Sequence, residues 1–287
     1  MPAKLQIQSS AKVTTPYVRC IIFGPPDQGK SMCGVTAPNP VWMLTEPTCA
    51  GSLSRDNIVG AYGMPQPEDI GAWLTETRKL KGKELAEAIQ NFSDADLKEM
   101  TGITYDMPRL DITDFEHLAQ ALEILKSGAY ETAIIDSGTL LSRLLLEHFK
   151  AKGGKGGSAL RDPRQAYKKA ADQTLDFIRD LFKLPMHFVI TAHAAERTIN
   201  KGTEDEPLWT RYLVPAFEGN VLGREIPHMI REIWQAKRLG KNDDGSPRFG
   251  LRTRKENPDD YERTLCVRLD DIEPPDLTAI FNKILGK

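Results

Sequence analysis

The segment IIFGPPDQGKS, residues 21–31, limits what this chain can fold into more than any other. Apolar residues lead into Gly24, and after four residues come Gly29, Lys30 and Ser31. The pattern G-x-x-x-x-G-K-[ST] needs a strand before it and a helix after it. Its chemistry is a turn of backbone N–H groups wrapped around an anion at a helix N-terminus. The expected cradle is Gly24, Pro25, Pro26, Asp27, Gln28, Gly29, Lys30, Ser31 and Met32. In it Lys30 reaches the β- and γ-oxygens of a nucleoside triphosphate, ATP in the simplest case, and the Ser31 hydroxyl ligates Mg²⁺. Asp27 puts a carboxylate in the loop. Pointing inward it would repel a triphosphate, so it is expected to point outward and to be compatible with slow or partner-dependent hydrolysis.

A strand before the loop implies other strands to pair with it. Short apolar runs recur at residues 17–23, 40–46, 132–137 and 186–193, each rich in Val, Ile or Phe, as strands buried on both faces should be. Helical patterns at 115–128, 139–152 and 165–183 separate the later ones, which argues for a parallel α/β sheet with helices on both sides. Residues 229–239, 248–256 and 263–271 read as three later strands, the first two joined at a turn around Asp244 and Gly245. Residues 64–103 are polar and helical and read as a lobe inserted within one domain spanning residues 1–287.

Composition narrows the partners. A formal net charge of −2 excludes a globally basic nucleic-acid binder, so such a surface must be a local patch. The four cysteines, Cys20, Cys33, Cys49 and Cys266, lie far apart and form no C-x-x-C pair. They read as reduced thiols of a cytoplasmic protein rather than a zinc site or disulfide frame. Neither a signal peptide nor a membrane span is expected.

Three strand ends carry the remaining chemistry. Asp136 ends the apolar run AIID and is expected to hold Mg²⁺ through a water. The next residue is Ser137, which cannot act as a base, so Glu46 at the end of the second strand is the candidate to polarise the attacking water. His193 ends the fourth strand, where it could sense a γ-phosphate.

The phosphate loop, a Glu ending the second strand, IIDS and TAH, in this order, resemble the RecA-like core. More closely, they resemble the small phage-encoded RecA-like ATPases of recombination and single-strand annealing. The resemblance runs from about residue 15 to 280 apart from the insert. It implies ATP hydrolysis with Mg²⁺, binding of single-stranded DNA, self-association into a ring or filament, work beside a phage single-strand binding protein in the host cytoplasm, and no membrane contact. The family's Lys-x-Arg pair, which reaches a neighbouring subunit's ATP, aligns with LCVRLDD. Arg268 matches the Arg, but Cys266 stands where the Lys would be. Arg252, Arg254, Lys255, Lys237 and Arg238 compete for that role.

RecA-like cores bind DNA through loops after the third and fourth strands. Here residues 150–164 offer Lys150, Lys152, Lys155, Arg161 and Arg164 among glycines. Residues 194–212 offer Arg197, Lys201 and Arg211 with Trp209 and Tyr212 for stacking, against the opposing charges of Glu204, Asp205 and Glu206. The leading expectation is a RecA-like ATPase acting on single-stranded DNA. A hexameric DNA translocase or packaging motor, and a nucleotide-gated scaffold with weak turnover, are the alternatives.

Overall fold

The computed structural model describes residues 16–46, 49–152, 163–203, 206–242 and 245–287. Among the described residues nine strands form: β1 (Arg19–Gly24), β2 (Pro40–Leu44), β3 (Arg109–Asp111), β4 (Thr132–Asp136), β5 (His187–Asn200), β6 (Trp209–Pro215), β7 (Glu232–Lys241), β8 (Pro247–Arg252) and β9 (Ile272–Glu273). They lie in the order β3-β2-β4-β5-β1-β7-β8-β9, with β6 on β5. The run from β3 to β7 is parallel, whereas β8, β9 and β6 add antiparallel. The protein is therefore mixed α/β, with a mostly parallel sheet and antiparallel strands toward the C-terminus, as the alternation of apolar runs and helical patterns implies.

Period-two alternation makes the two cores. In β1, Ile21 and Phe23 face one side and Cys20 and Ile22 the other, and β2 repeats this with Val41 and Met43 against Trp42 and Leu44. The first face is covered by α7 (Glu116–Lys126), α8 (Gly138–Lys152), α9 (Pro163–Leu181) and α10 (Gly219–Met229). The second is covered by α1 (Lys30–Cys33), a 3₁₀ turn (Gly34–Thr36), α3 (Arg55–Tyr62), α6 (Asp94–Thr101) and α11 (Leu277–Leu285). Side chains such as Trp42, Phe23 and Phe188 are fully buried, each stabilising the fold by roughly 1.5–3 kcal/mol.

Residues 64–103 hold α4 (Pro67–Arg78), α5 (Gly82–Gln90) and α6, while α2 (Cys49–Ser52) and α3 precede them. Pro67 opens α4 behind a Gln66–Asp69 capping box, and Ser93 opens α6 in the same way with Asp96. The Ser93 hydroxyl and amide, then Arg78, hold the Asp96 carboxyl down at about 2. Leu97 of α6 joins the core beneath the sheet. No helix among the described residues is long and apolar enough to cross a membrane.

Three expectations change. Edge strand β3 lies in a stretch with no strand signal, because only three residues pair with β2. Residues 194–212 are not a loop: β5 runs on to Asn200 and returns as β6, with a register from Ala194–Pro215 to Asn200–Trp209. Residues 263–271 do not form a strand. β8 pairs with β7 only from Gln235 onward, and on the short stretch of β7 ahead of it the segment makes a single bridge, Arg263 to Ile233. Side chains satisfy the backbone there instead: Leu265 N–H donates to Glu232, and Arg254 donates to the Val267 and Leu269 carbonyls.

Candidate functional site

The phosphate loop joins β1 to α1. Gly29 caps α1 with φ 76°, and a Cβ there would meet the Phe249 ring at 3.0 Å. A Cβ on Gly24 would meet the Ala236 carbonyl at 2.9 Å. Both glycines are therefore required by close approach of the β7–β8 hairpin, and Gly29 by its left-handed backbone as well. That hairpin also holds the loop directly, since the Arg238 N–H donates to Gln28 Oε1 at 2.7 Å. Asp27 is exposed with φ 58°, a conformation that Asp tolerates better than most residues. Lys30 Nζ donates to the Pro25 carbonyl at 2.6 Å, across the mouth of its own loop. Ser31 is half-buried in α1, and burial pushes the Cys33 thiol, two residues on, up to about 12.

The sheet sets the other candidate residues along the same edge. Gly24 lies in register with His193, placing the end of β5 beside the start of the loop. Leu44 is in register with Asp136, and Thr45 extends the pairing, its N–H donating to the Asp136 carbonyl at 2.9 Å. The Thr45 hydroxyl donates to the Ser137 carbonyl and accepts from the Ser137 N–H, so the ends of β2 and β4 are locked together and Glu46 follows directly. β2 is thus a neighbour of the Asp136 strand, and β4 and β5 separate it from β1. The Ser137 hydroxyl caps α8 at Leu140.

Asp136 is buried. Its Oδ1 accepts from the Thr191 hydroxyl at 2.5 Å, and its Oδ2 has no hydrogen-bond partner among the described residues. Thr191 was not singled out from sequence. The signal was available, since it lies two residues before His193 on the same strand. Gln235 was also missed; it lies in the buried part of β7, opposite Phe23, with its Oε1 buried and without a hydrogen-bond partner among the described residues. His193 is fixed through its backbone, its N–H donating to the Thr139 hydroxyl and its carbonyl accepting from Ala216.

The basic candidates separate. Arg268 is exposed, but its guanidinium donates to the Lys283 and Ile284 carbonyls at the end of α11. Arg252 is buried against Glu262. Arg254 is on backbone carbonyls, Lys255 donates to the Pro258 carbonyl and Lys237 pairs with Glu256. Arg238 is exposed beside the phosphate loop.

On the β5–β6 ribbon, Trp209 and Arg211 share one face, where Arg211 pairs with Glu196, and Trp209 is 63% exposed. Arg197 alternates onto the other face, where it lines a cleft of about 410 Å³ with Tyr212, Arg224 and Tyr261. Lys201 is paired with Asp259. Lys150 stands over the Tyr167 ring at 5.1 Å, and Arg164 lies in the first turn of α9. Lys155, Arg161, Glu204 and Asp205 lie outside the described residues, as does the Lys152 side chain.

A glycine-rich loop between a buried strand and a helix, with an acidic strand end two places along the sheet, defines a P-loop nucleotide-binding protein. The chain belongs to the AAA domain family, whose model matches residues 17–242, and it is accordingly a nucleotide-binding and nucleotide-hydrolysing domain. Comparison with curated proteins gives no match.

Proposed function

We propose that the protein is a RecA-like, Mg²⁺-dependent ATPase that acts on single-stranded DNA in phage recombination or replication and works as an oligomer. The observation that carries the catalytic half is the buried Asp136 carboxylate with an unpartnered oxygen on the same sheet edge as the phosphate loop. A buried charge without a partner is costly unless a cation meets it. Among the described residues no group of three metal-binding side chains exists. That suits Mg²⁺, which usually takes one or two protein oxygens and completes its shell with water and phosphate. Ser31 and Asp136 would hold it. When bound, Mg²⁺ would neutralise charge on the phosphates.

In this reading the loop amides bind the phosphates, and Lys30 leaves the Pro25 carbonyl for a phosphate oxygen. Glu46 orients the attacking water, and the Thr45–Ser137 bonds fix where it stands. His193, beside Gly24, carries the state of the site into the β5–β6 ribbon, of which it is part. The Arg197–Tyr212–Arg224–Tyr261 cleft supports contact with a strand on one ribbon face, and Trp209 with Arg211 on the other.

ATP turnover with and without single-stranded DNA tests this directly. We expect stimulation by single strands, and in Glu46→Gln a rate about 10²-fold lower with ATP affinity within a few-fold of the parent. Normal turnover in that variant would assign the base elsewhere. Absence of any DNA effect on turnover or binding would favour the scaffold alternative.

A further inference from the structure

Thr191 stands among the apolar residues Val189, Ile190 and Ala192 in the buried part of β5, and is itself 1% exposed. Valine would fill the same space and suit a strand equally well, whereas a hydroxyl taken out of water is costly unless hydrogen-bonded. The backbone offers it little, since the Ile135 carbonyl lies at 3.4 Å. Its close partner is Asp136 Oδ1, at 2.5 Å. We propose that Thr191 is a positioning residue for the Mg²⁺ site: its hydroxyl holds one oxygen of the Asp136 carboxylate so that the other is presented to the cation and its water shell.

The pairing of β4 with β5 brings the two groups together. Ile134 lies opposite Val189 and Ile135 opposite Ile190, and Asp136 and Thr191 meet one step further on. Ile134 and Val189 belong to the core face on which α1 packs, and period-two alternation turns Asp136 and Thr191 to that same face. From that face α1 carries Ser31, the other residue that would hold Mg²⁺. A carboxylate only accepts and a hydroxyl has one proton, so the proton goes to Oδ1 rather than to the more distant Ile135 carbonyl. Branching at Cβ restricts the Thr191 side chain to few rotamers, which fixes the direction of the bond. Asp136 Oδ2 is left buried, with no hydrogen-bond partner among the described residues. Mg²⁺ demands near-ideal octahedral geometry, so the direction in which a carboxylate points bears on affinity. Groups that orient a metal's ligands typically contribute about 10–100-fold.

This deepens the reading of Ser31 and Asp136 as the Mg²⁺ site and rests on it, so the test separates the two. Binding of a fluorescent, non-hydrolysable ATP analogue would be followed over a Mg²⁺ titration and, separately, in EDTA. The proteins would be the parent, Thr191→Val, Thr191→Ser and Asp136→Asn, with Thr191→Ala in place of the valine variant should that one fail to fold. The valine variant is expected to need about 10-fold more Mg²⁺, or higher, for half-maximal metal-dependent binding, while its binding in EDTA is unchanged. Serine keeps the hydroxyl and is expected to return the midpoint to within a few-fold of the parent. A valine variant with the parent's Mg²⁺ midpoint, a serine variant no better than valine, or an equal loss in EDTA would each overturn the positioning role and leave the metal site standing. A midpoint that Asp136→Asn does not move, or analogue binding that Mg²⁺ does not change in the parent, would overturn the metal reading first and the positioning role with it.

Discussion

Asp136 and Glu262 are both buried carboxylates, and the fold treats them in opposite ways. Glu262 Oε1 accepts two bonds from Arg252, at 2.6 and 3.1 Å, and Asp260 and Glu256 complete a cluster around the same guanidinium. Burial alone would lower the pKa of Arg252. The bonds and charge of Glu262, helped by Asp260 and Glu256, more than offset it, so the group is held above its usual value. Each keeps one buried oxygen without a hydrogen-bond partner among the described residues, Glu262 Oε2 and Asp136 Oδ2, but the other oxygen of Asp136 receives a neutral hydroxyl, from Thr191, and no cation. One carboxylate is consumed in holding the C-terminal segment to the sheet. The other has no cation beside it in the fold, and it is the one that ends a strand next to the phosphate-loop side of the sheet.

The comparison can be broken by variants that reverse its terms. The largest effect is expected for Asp136→Asn, which removes the carboxylate: turnover should fall by about 10³-fold while the melting temperature stays level or rises. Retained turnover would place Asp136 with the structural carboxylates. Arg252→Met should do the opposite. It strands Glu262 without its cation, for a loss of about 3–5 kcal/mol in denaturant unfolding, while turnover per folded molecule at low temperature is preserved. A loss below about 1 kcal/mol would show that the cluster contributes no more than a surface pair.

A third buried group sharpens the contrast because it is kept neutral. His187 Nδ1 accepts from the Val18 N–H at 2.9 Å, and the ring stacks on Phe281. Burial, then the charge of Lys287, pushes its pKa down to about 4. The folded value lies below the unfolded one, so the stability it confers is complete above the ordinary histidine range. That stability is lost as pH falls toward 4, by about 2 kcal/mol on going from pH 7 to pH 5. Thermal melts across that range should show the loss, and His187→Gln should flatten it. An equally steep curve in the variant would trace the acid sensitivity to other groups.

The smallest effects belong to exposed charges. In single-strand binding over a salt series, Arg197→Ala and Arg224→Ala should each flatten the log–log slope by about 0.7. Trp209→Ala should lower affinity with little change of slope, since stacking releases few counterions. A cleft variant that leaves the slope unchanged would restrict any DNA contact to the Trp209 face.

Much of the parallel sheet was legible from sequence, because the signals for β1, β2, β4 and β5 are local: β-branched and apolar runs, each ended by a glycine or a polar residue. The loop was legible because its glycines, Lys30 and Ser31 stand at a spacing only one geometry uses. The register that sets Gly24 beside His193 and Thr45 beside Ser137 was not, because pairing partners are separated by 92 residues or more. Nor was the Thr191–Asp136 bond, which needs two neighbouring strands to be seen at once.

Residues 263–271 show the limit most clearly. TLCVRLDD alternates as a strand should, yet the segment meets the sheet only at the Arg263–Ile233 bridge, Arg268 turns to the carbonyls ending α11 and Val267 stays 88% exposed. The sequence by itself determined that this chain builds a phosphate cradle between a buried strand and a helix, since loop conformation and helix N-terminus follow from neighbours in the chain. Only the tertiary structure decided that the β7–β8 hairpin grips the cradle through Gln28 and Gly29, that Asp136 keeps an unpartnered oxygen, and that Arg197 faces away from Trp209. Each depends on which strands meet and in what register, and that is settled by the burial of whole faces rather than by any local pattern.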